Sequence, residues 1–315
     1  VASTKTAWVV LVDADKRQVV WKTSIPFEQP FVGNIAVQCA SNGSTFYVLT
    51  QQRTHSEESL NQTKVIINQL SGTGKPQKHV PVDAGFDEWS YLLDVKPDAV
   101  SVVGGISDTL NRGGKFSTFL AQFDPNLTRT RLSKMPNGSF WTDTNARLDN
   151  SHLLVAGQFL PNSGSSSGSE AFAVSSIDLS KDKYLWSTYV SPADERSEKS
   201  IFGADGASYY VALTATNLAV AVVDPAGKIT NRFAVKKPVC DINALAIDGH
   251  TLSAIGATCD QNPRSVILAI DLTNKSATIA QRLDSSLSTA KFDGNAWAGV
   301  ADSQAKGAVF IRGAR

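Results

Sequence analysis

The chain is poor in the residues from which most catalytic and metal centres are built. Its 315 residues include only 3 cysteines, 4 histidines and 1 methionine. His152 and His250 fall in equivalent short turns, His55 in a polar loop and His79 in an outer strand. With no HExxH, no CxxC and no histidine cluster, a zinc site is excluded. Charge of one sign is also lacking: 30 Lys and Arg face 29 Asp and Glu, for a net charge of +1. A nucleic-acid binder carries a basic surplus, and none is present. No apolar run approaches ~18 residues, which excludes a membrane-spanning helix. The hydrophobic share, 42%, is too high and the charge too balanced for a disordered chain.

Short motifs that look chemical dissolve in context. Gly164-Ser165-Ser166-Ser167-Gly168 reads as GxSxG, but it lies in a Ser/Gly tract and not on a strand-to-helix turn. Gly72-Thr73-Gly74-Lys75 resembles the end of a phosphate loop, yet Pro76 follows it and no helix opens there. Asp13-Ala14-Asp15 is a turn without the rest of an EF-hand pattern. Sialidase-type Asp boxes are missing as well.

What is present is repetition. The segments beginning at Ala7, Thr118, Ala173, Ala219 and Val266 share one design: a β-branched run, an Asp, turn residues, then a second alternating run. The marker aspartates are Asp13, Asp124, Asp178, Asp224 and Asp271, with Ser71 near the equivalent place in KVIINQLSGTGKPQKHVPV. A second hairpin type alternates with the first and turns on Asn, Asp and Gly, the residues of tight β-hairpins. No amphipathic helical window interrupts the pattern.

Six hairpins of each type make six four-stranded units of about 50 residues, which is the signature of an all-β, six-bladed β-propeller. With strands lettered a to d from the channel outward, blades are expected at 31–80, 86–134, 141–190, 200–235 and 241–283. The sixth is composite, 292–315 with 1–25. It closes the ring by pairing a C-terminal a–b hairpin with an N-terminal c–d hairpin, so that no edge is left open. The whole of 1–315 is then a single domain. A seven-bladed ring with one degenerate unit and a β-sandwich are the alternatives.

Asp13 and Trp21, and likewise Asp178 and Trp186, form an Asp-x7-Trp pattern in two of the six units. This resembles the outer strands of bacterial propellers with PQQ-type blade repeats, among them outer-membrane assembly lipoproteins. The Thr-Gly that follows the Asp in that motif is absent here, and the resemblance does not carry quinone binding. Physically, a Trp at this place covers the gap between blades.

Cys240 and Cys259 flank a hairpin that turns at Asp248-Gly249, which brings them to its open end. Either they form a disulfide, which implies a periplasmic, cell-surface or extracellular protein, or they are two reduced thiols. Cys39 sits in an apolar strand and is expected to be a small buried hydrophobe. The chain begins at Val1 without Met or signal peptide, as a mature or trimmed form would. Sequons at Asn42, Asn61, Asn126, Asn137 and Asn274 do not distinguish sources.

The segments expected to lead into each innermost strand converge on one mouth of the channel. They place Asp87, Glu88, Trp89, Trp141, Asp143, Asp241, Asp293, Asn295 and Trp297 near a common rim. Indole faces beside carboxylates and amides bind sugars or cationic groups, and clustered oxygens suit Ca²⁺, the one ion entertained here. The same residues also serve as blade packing and solvated turns. On that side the b–c loops of the first three blades are long, which suits binding as well as tolerated insertion.

Two functional classes follow. The leading one is an exported, non-enzymatic binding or scaffold protein that presents the long-loop face to a protein or glycan partner, with no resident cofactor. The second is a hydrolase or lyase acting on a sugar or lactone through a pair of rim carboxylates. A plain structural module of a larger assembly is the third reading. Fold alone selects none of them.

Overall fold

The structure, a computed structural model, describes residues 6–13, 15–16, 18–26, 31–54, 62–109, 115–141, 144–149, 151–162, 171–191, 196–294, 296–303 and 307–314. Every regular element among them is a β-strand. A lone hairpin comes first, β1 (Ala7–Asp13) with β2 (Gln18–Ile25). Two antiparallel meanders follow: β3 (Phe31–Ser41), β4 (Thr45–Thr54), β5 (Thr63–Ser71) and β6 (Pro76–Pro81); then β7 (Asp87–Val95), β8 (Val100–Ser107), β9 (Phe116–Phe123) and β10 (Arg129–Pro136). A short strand, β11 (Gly138–Phe140), leads into the third meander, β12 (Asn145–Leu148), β13 (His152–Pro161), β14 (Ala171–Asp178) and β15 (Lys183–Ser191). The fourth is β16 (Arg196–Phe202), β17 (Ser208–Leu213), β18 (Asn217–Val223) and β19 (Ile229–Lys236). The fifth is β20 (Asp241–Asp248), β21 (Thr251–Ala257), β22 (Ser265–Asp271) and β23 (Ser276–Arg282). A three-stranded sheet ends the chain: β24 (Leu287–Asp293), β25 (Ala296–Ser303) and β26 (Gly307–Ala314).

The strand composition explains this stacking. The second and third strands of each meander are apolar on both faces: every residue of β8 (VSVVGGIS) and of β17 (SYYVAL) is buried. Such strands need cover on both sides. Fourth strands alternate instead; β19 (ITNRFAVK) places every second residue in solvent. The core therefore lies between neighbouring sheets. Leu49 and Ile67 of one meander meet Val102 and Phe119 of the next, and Val220 meets Leu252 and Leu268 further on. Each such side chain contributes about 1.5–3 kcal/mol on burial.

The marker aspartates prove to be turn caps. Asp13 Oδ1 accepts the Asp15 and Lys16 amides at 3.0 and 2.9 Å. Asp124, Asp178, Asp224 and Asp271 do the same for Thr128, Ser180, Lys228 and Thr273, each at 2.8 Å. A short carboxylate at this place satisfies turn amides that no strand can reach. The paired tryptophans act one sheet further on. Trp21 lies on Gly74 and donates to the Gly72 carbonyl at 3.1 Å, while Thr23 donates to the Gly74 carbonyl at 2.6 Å. Trp186 lies on Gly227 in the same way, and Thr188 donates to the Gly227 carbonyl. Both glycines hold positive φ, +78° and +85°.

Four findings depart from the sequence reading. First, the C-terminal unit begins one strand early, because β24 pairs with β25 along its whole length. The C-terminal unit therefore has three strands where a two-stranded hairpin was expected. Second, no backbone pairing joins β26 to β1 or β2 among the described residues. The two terminal sheets are linked instead by an ion pair, Arg312 to Asp15 at 2.9 Å. Third, β11 pairs with both β13 and β9 and stitches two meanders into one sheet. Fourth, Cys39 is exposed. It lies on β3, a strand with one paired neighbour, just beyond a register shift between Ala36 and Gln38. The disulfide does form: Cys240 and Cys259 are bonded, with Cα atoms 5.0 Å apart, at the open end of the β20–β21 hairpin.

The tryptophan clasp makes a sharp prediction. A Cβ on Gly227 would meet the Trp186 ring at 2.6 Å and hold a disfavoured φ, so Gly227→Ala lowers unfolding free energy by about 2–4 kcal/mol. Gly43→Ala, with positive φ but open space around it, has only the backbone cost of about 1–2 kcal/mol. Denaturant titration of both variants separates the two effects. The turn caps predict an acid response. The Ser180 hydroxyl, first, and then the Ser180 amide and Lys181 hold the Asp178 carboxyl down to about 2. Its stabilisation is complete above the unfolded value of about 3.9 and is lost as pH falls through about 2. Asp178→Asn is therefore less stable than the parent at neutral pH, and the gap closes between pH of about 4 and about 2.

Candidate functional site

The first strands of the meanders lie side by side around an open centre. Where β3, β7, β12 and β16 approach one another they enclose a cavity of about 380 Å³. Gln38, Ser90 and Tyr91 form one wall; Thr144, Asn145, Lys199 and Ser200 form the other, with Trp141 and Val37 beside them. Within each wall a hydrogen bond joins neighbouring sheets. Asn145 donates to the Ser200 carbonyl at 3.1 Å, and the Gln38 amide donates to the Tyr91 carbonyl. The Tyr91 hydroxyl is fully engaged: it pairs with Ser139 Oγ and accepts the Phe140 amide at 3.0 Å. Burial pushes its phenol far above the ordinary range, so it stays neutral. A second depression of about 500 Å³ opens at the opposite end, between Phe202, Leu245, Asp248 and Phe292.

The expected rim residues do not form one site. Asp143 and Asn295 lie outside the described residues. Asp293 and Trp297 belong to the opposite end: with β24 as the innermost strand, 293–296 is the tight turn into β25, and Gly294 lines the second depression beside Asp248. Trp297 is buried and donates to the Ala314 carbonyl at 3.1 Å. Asp241 is half-buried and accepts the Ile242 amide at 2.9 Å. The oxygens entertained for Ca²⁺ are thus spread over both ends.

Asp87, Glu88 and Trp89 are brought together, but they face inward. Asp87 Oδ1 accepts the Thr63 amide at 2.8 Å. Glu88, fully buried, accepts the Gly85 amide at 3.0 Å and the Val65 amide at 3.1 Å, with Lys64 Nζ at 3.5 Å. Burial raises its carboxyl above the usual range, against the pull of these donors. Trp89 donates to the Phe140 carbonyl at 2.5 Å and meets Trp141 edge-on at 5.2 Å. Glu198 is the counterpart of Glu88 on β16: it accepts the Ser191 and Tyr210 hydroxyls, each at 2.8 Å, and the Gln158 amide at 3.3 Å. These carboxylates clasp one sheet to the next and present no exposed pair to a substrate.

Of the expected rim residues, Trp141 alone lines the cavity. The sequence reading missed Gln38, Ser90, Thr144, Asn145, Lys199 and Ser200. Their signal was present as polar residues interrupting the innermost strands, where an alternating strand offers an apolar one.

No family model matches the chain, and no curated protein matches it. Solved structures do. The β-propeller domain of the Trilobed protease from Pyrococcus furiosus, described as having an open velcro topology, is similar at 10% identity and TM-score 0.53, over 87% of this chain and 79% of that one. The chain folds as a β-propeller. The acylaminoacyl peptidase of Pyrococcus horikoshii is similar at 10% identity and TM-score 0.51, over 85% of this chain and 43% of that one. An acylaminoacyl peptidase bound to Z-Gly-Gly-Phe-chloromethyl ketone gives 10% identity and TM-score 0.54, over 86% and 43%. The propeller chain spans less than half of those peptidases, and at such identity the likeness is one of fold.

The inward acids predict a stability effect. Glu88→Ala leaves the buried Val65 amide and the half-buried Gly85 amide without their acceptor, while Lys64 keeps Asp83 and the Gly85 carbonyl, and lowers unfolding free energy by about 2–4 kcal/mol. Asp293→Ala, at an exposed turn, changes it by less than about 0.5 kcal/mol. Equal effects in chemical denaturation would contradict the assignment of Glu88 as a clasp.

Proposed function

We propose that this propeller is an exported, non-catalytic binding protein and that a protein partner docks on the end where its strand connections are long. One observation carries the reading. Three neighbouring connections between paired strands are long, from Thr54 to Thr63, Ser107 to Phe116 and Pro161 to Ala171, whereas the fourth spans only Leu213 to Asn217 and the fifth, Ala257 to Ser265, is shorter than the first three. Long connections raised on a rigid sheet scaffold are the usual place for recognition. The central segments of these connections, with His55 and Gly164–Gly168, lie outside the described residues. The inward use of Asp87 and Glu88 favours binding over the hydrolase reading, because their oxygens already hold backbone amides.

We further infer six blades: five complete meanders, and a sixth built from β24–β26 beside the β1–β2 hairpin. The Cys240–Cys259 bond supports a periplasmic or extracellular home. A photo-crosslinking residue tests the docking end in the native compartment of the source cell. Placed at exposed Asp108, beside a long connection, it captures the partner; at exposed Asp98, on a tight turn at the other end, it does not. Capture from Asp98 alone, or equally from both, overturns the proposal.

A further inference from the structure

The β1–β2 hairpin covers only the outer part of one face of the first meander. Ala7 and Ile25 pack with Val48 and Leu70 there, and Trp21 holds the turn at Gly72. Within the hairpin β1 is the inner strand, lying next to β3. The cover stops at that line. Cys39 pairs with Val48 and so shares its face, yet it is exposed; so is Ala36, which pairs with Thr50. Among the described residues β1 has β2 as its one paired strand, so its other edge presents open backbone N–H and C=O groups. Outer strands of the meanders guard such edges with Lys, Arg or Pro, as Lys78 and Pro81 do on β6 and Arg131 and Lys134 on β10. β1 (AWVVLVD) has no guard before Asp13. On the side of the hairpin turned away from the meander, Trp8 and Val10 are 56% and 45% exposed, and Lys22 Nζ stands 4.4 Å over the Trp8 ring.

We propose that the open edge of β1 docks an extended segment of a partner protein, which adds a strand to the hairpin and covers Ala36 and Cys39. The edge itself specifies the shape of the occupant, because a row of backbone donors and acceptors is met by another strand. The chain's own last sheet is committed elsewhere: Leu287, Trp297 and Ala301 pack with Ile255 and Ile267 of the fifth meander. Its ion pair to the hairpin, Arg312 with Asp15, lies at the turn and not along the edge. A second copy has no strand to give to an inward edge, since every strand among the described residues is built into its own sheet. Alternation then sets the chemistry of the segment. One set of its side chains lies over Ala36 and Cys39 and is apolar. The other set lies beside Trp8, Val10 and Lys22. Lys16 and Arg312 are already met by Asp13 and Asp15, whereas Lys22 has no carboxylate partner among the described residues. Asp13 in turn is held by the Asp15 and Lys16 amides. The segment that fits alternates apolar residues with Glu or Asp. This proposal makes no use of the long connections, so it and the docking end proposed above stand or fall separately.

The test titrates the full chain with three short peptides: alternating Val and Glu, alternating Val and Lys, and the Val–Glu peptide with Pro at its centre. Binding is read by calorimetry and by the rate at which maleimide alkylates Cys39, the free thiol beside the Cys240–Cys259 disulfide. The Val–Glu peptide is expected to bind saturably, one per chain, and to slow alkylation of Cys39 by about tenfold at saturation. The Val–Lys peptide is expected to bind about three- to tenfold more weakly, and the Pro peptide not at all, because Pro removes a ladder donor. Val10→Lys, at an exposed position, gives β1 the guard it lacks; it is expected to weaken binding about tenfold with an unchanged melting temperature. Lys22→Glu is expected to reverse the preference between the Glu and Lys peptides, and it serves as the second variant should Val10→Lys misfold. Four results overturn the proposal: no saturable binding of the Val–Glu peptide, equal binding of the Pro peptide, a Cys39 alkylation rate that saturating peptide leaves unchanged, or sedimentation of the free protein as a dimer whose dissociation exposes Cys39, which would make a second copy the occupant.

Discussion

No meander in this protein can stand alone, because its middle strands are apolar on both faces. Ser208–Leu213 buries every residue, and so does Val100–Ser107. A single sheet of that composition would expose one greasy face, so each needs a neighbour on both sides, and that neighbour needs another. The chain must keep adding sheets until the two ends meet or a polar face ends the series. Close approach is part of the constraint. Gly74 and Gly227 sit where a Cβ would strike the Trp21 and Trp186 rings of the preceding sheets. Sheet-to-sheet packing is thus the interaction on which every other feature rests, and most polar residues fall at the turns, the outer strands and the centre, with a few small ones such as Thr50, Ser101 and Ser175 buried between sheets.

The polar residues at these places act as fasteners as well as surface. At the outer rim, a Trp and a Thr from one sheet hold the glycine turn of the next, at Gly74 and Gly227. Nearer the centre, Glu88 and Glu198 reach back to the preceding sheet and satisfy amides and hydroxyls there. A buried carboxylate is a costly fastener, but it is directional in a way that Val or Leu is not. It fixes the sheets in register where apolar contact alone would let them slide. The acidic, aromatic character of the segments before the innermost strands follows from this role.

Much of this was legible in the residues because it is local. Turn chemistry at Asp13, Asp124, Asp178, Asp224 and Asp271 marks one hairpin series, and the spacing of those marks gives the meanders nearly at their observed bounds. The Cys240–Cys259 bond follows from one hairpin turning at Asp248-Gly249. What was not legible is non-local. Leu287–Asp293 (LSTAKFD) has few β-branched residues and reads as a linker, yet β25 recruits it as a strand. That single step carries Asp293 and Trp297 from one end of the molecule to the other. Gly138–Phe140 is too short to show a period, and only its two flanking strands make it one. The cavity belongs to no segment: Gln38 and Ser200 share it although two whole meanders and most of a third separate them in the chain.

The centre is where the packing logic leaves room for function. An innermost strand is hydrogen-bonded to one neighbour and faces the equivalent strands of other sheets across a gap that side chains must fill. In a chain selected for stability alone, that gap would close on apolar residues, as it does between the sheets. Here Gln38, Ser90, Thr144, Asn145 and Ser200 stand in it. Unpaired buried hydroxyls each cost about 1–3 kcal/mol, and alanine at Ser90 or Ser200 would relieve that cost with one substitution. The rigid outer shell makes the concession tolerable: the sheets are held to one another by packing and by the Trp and Glu fasteners, so the central strands can present polar groups without unfastening the fold.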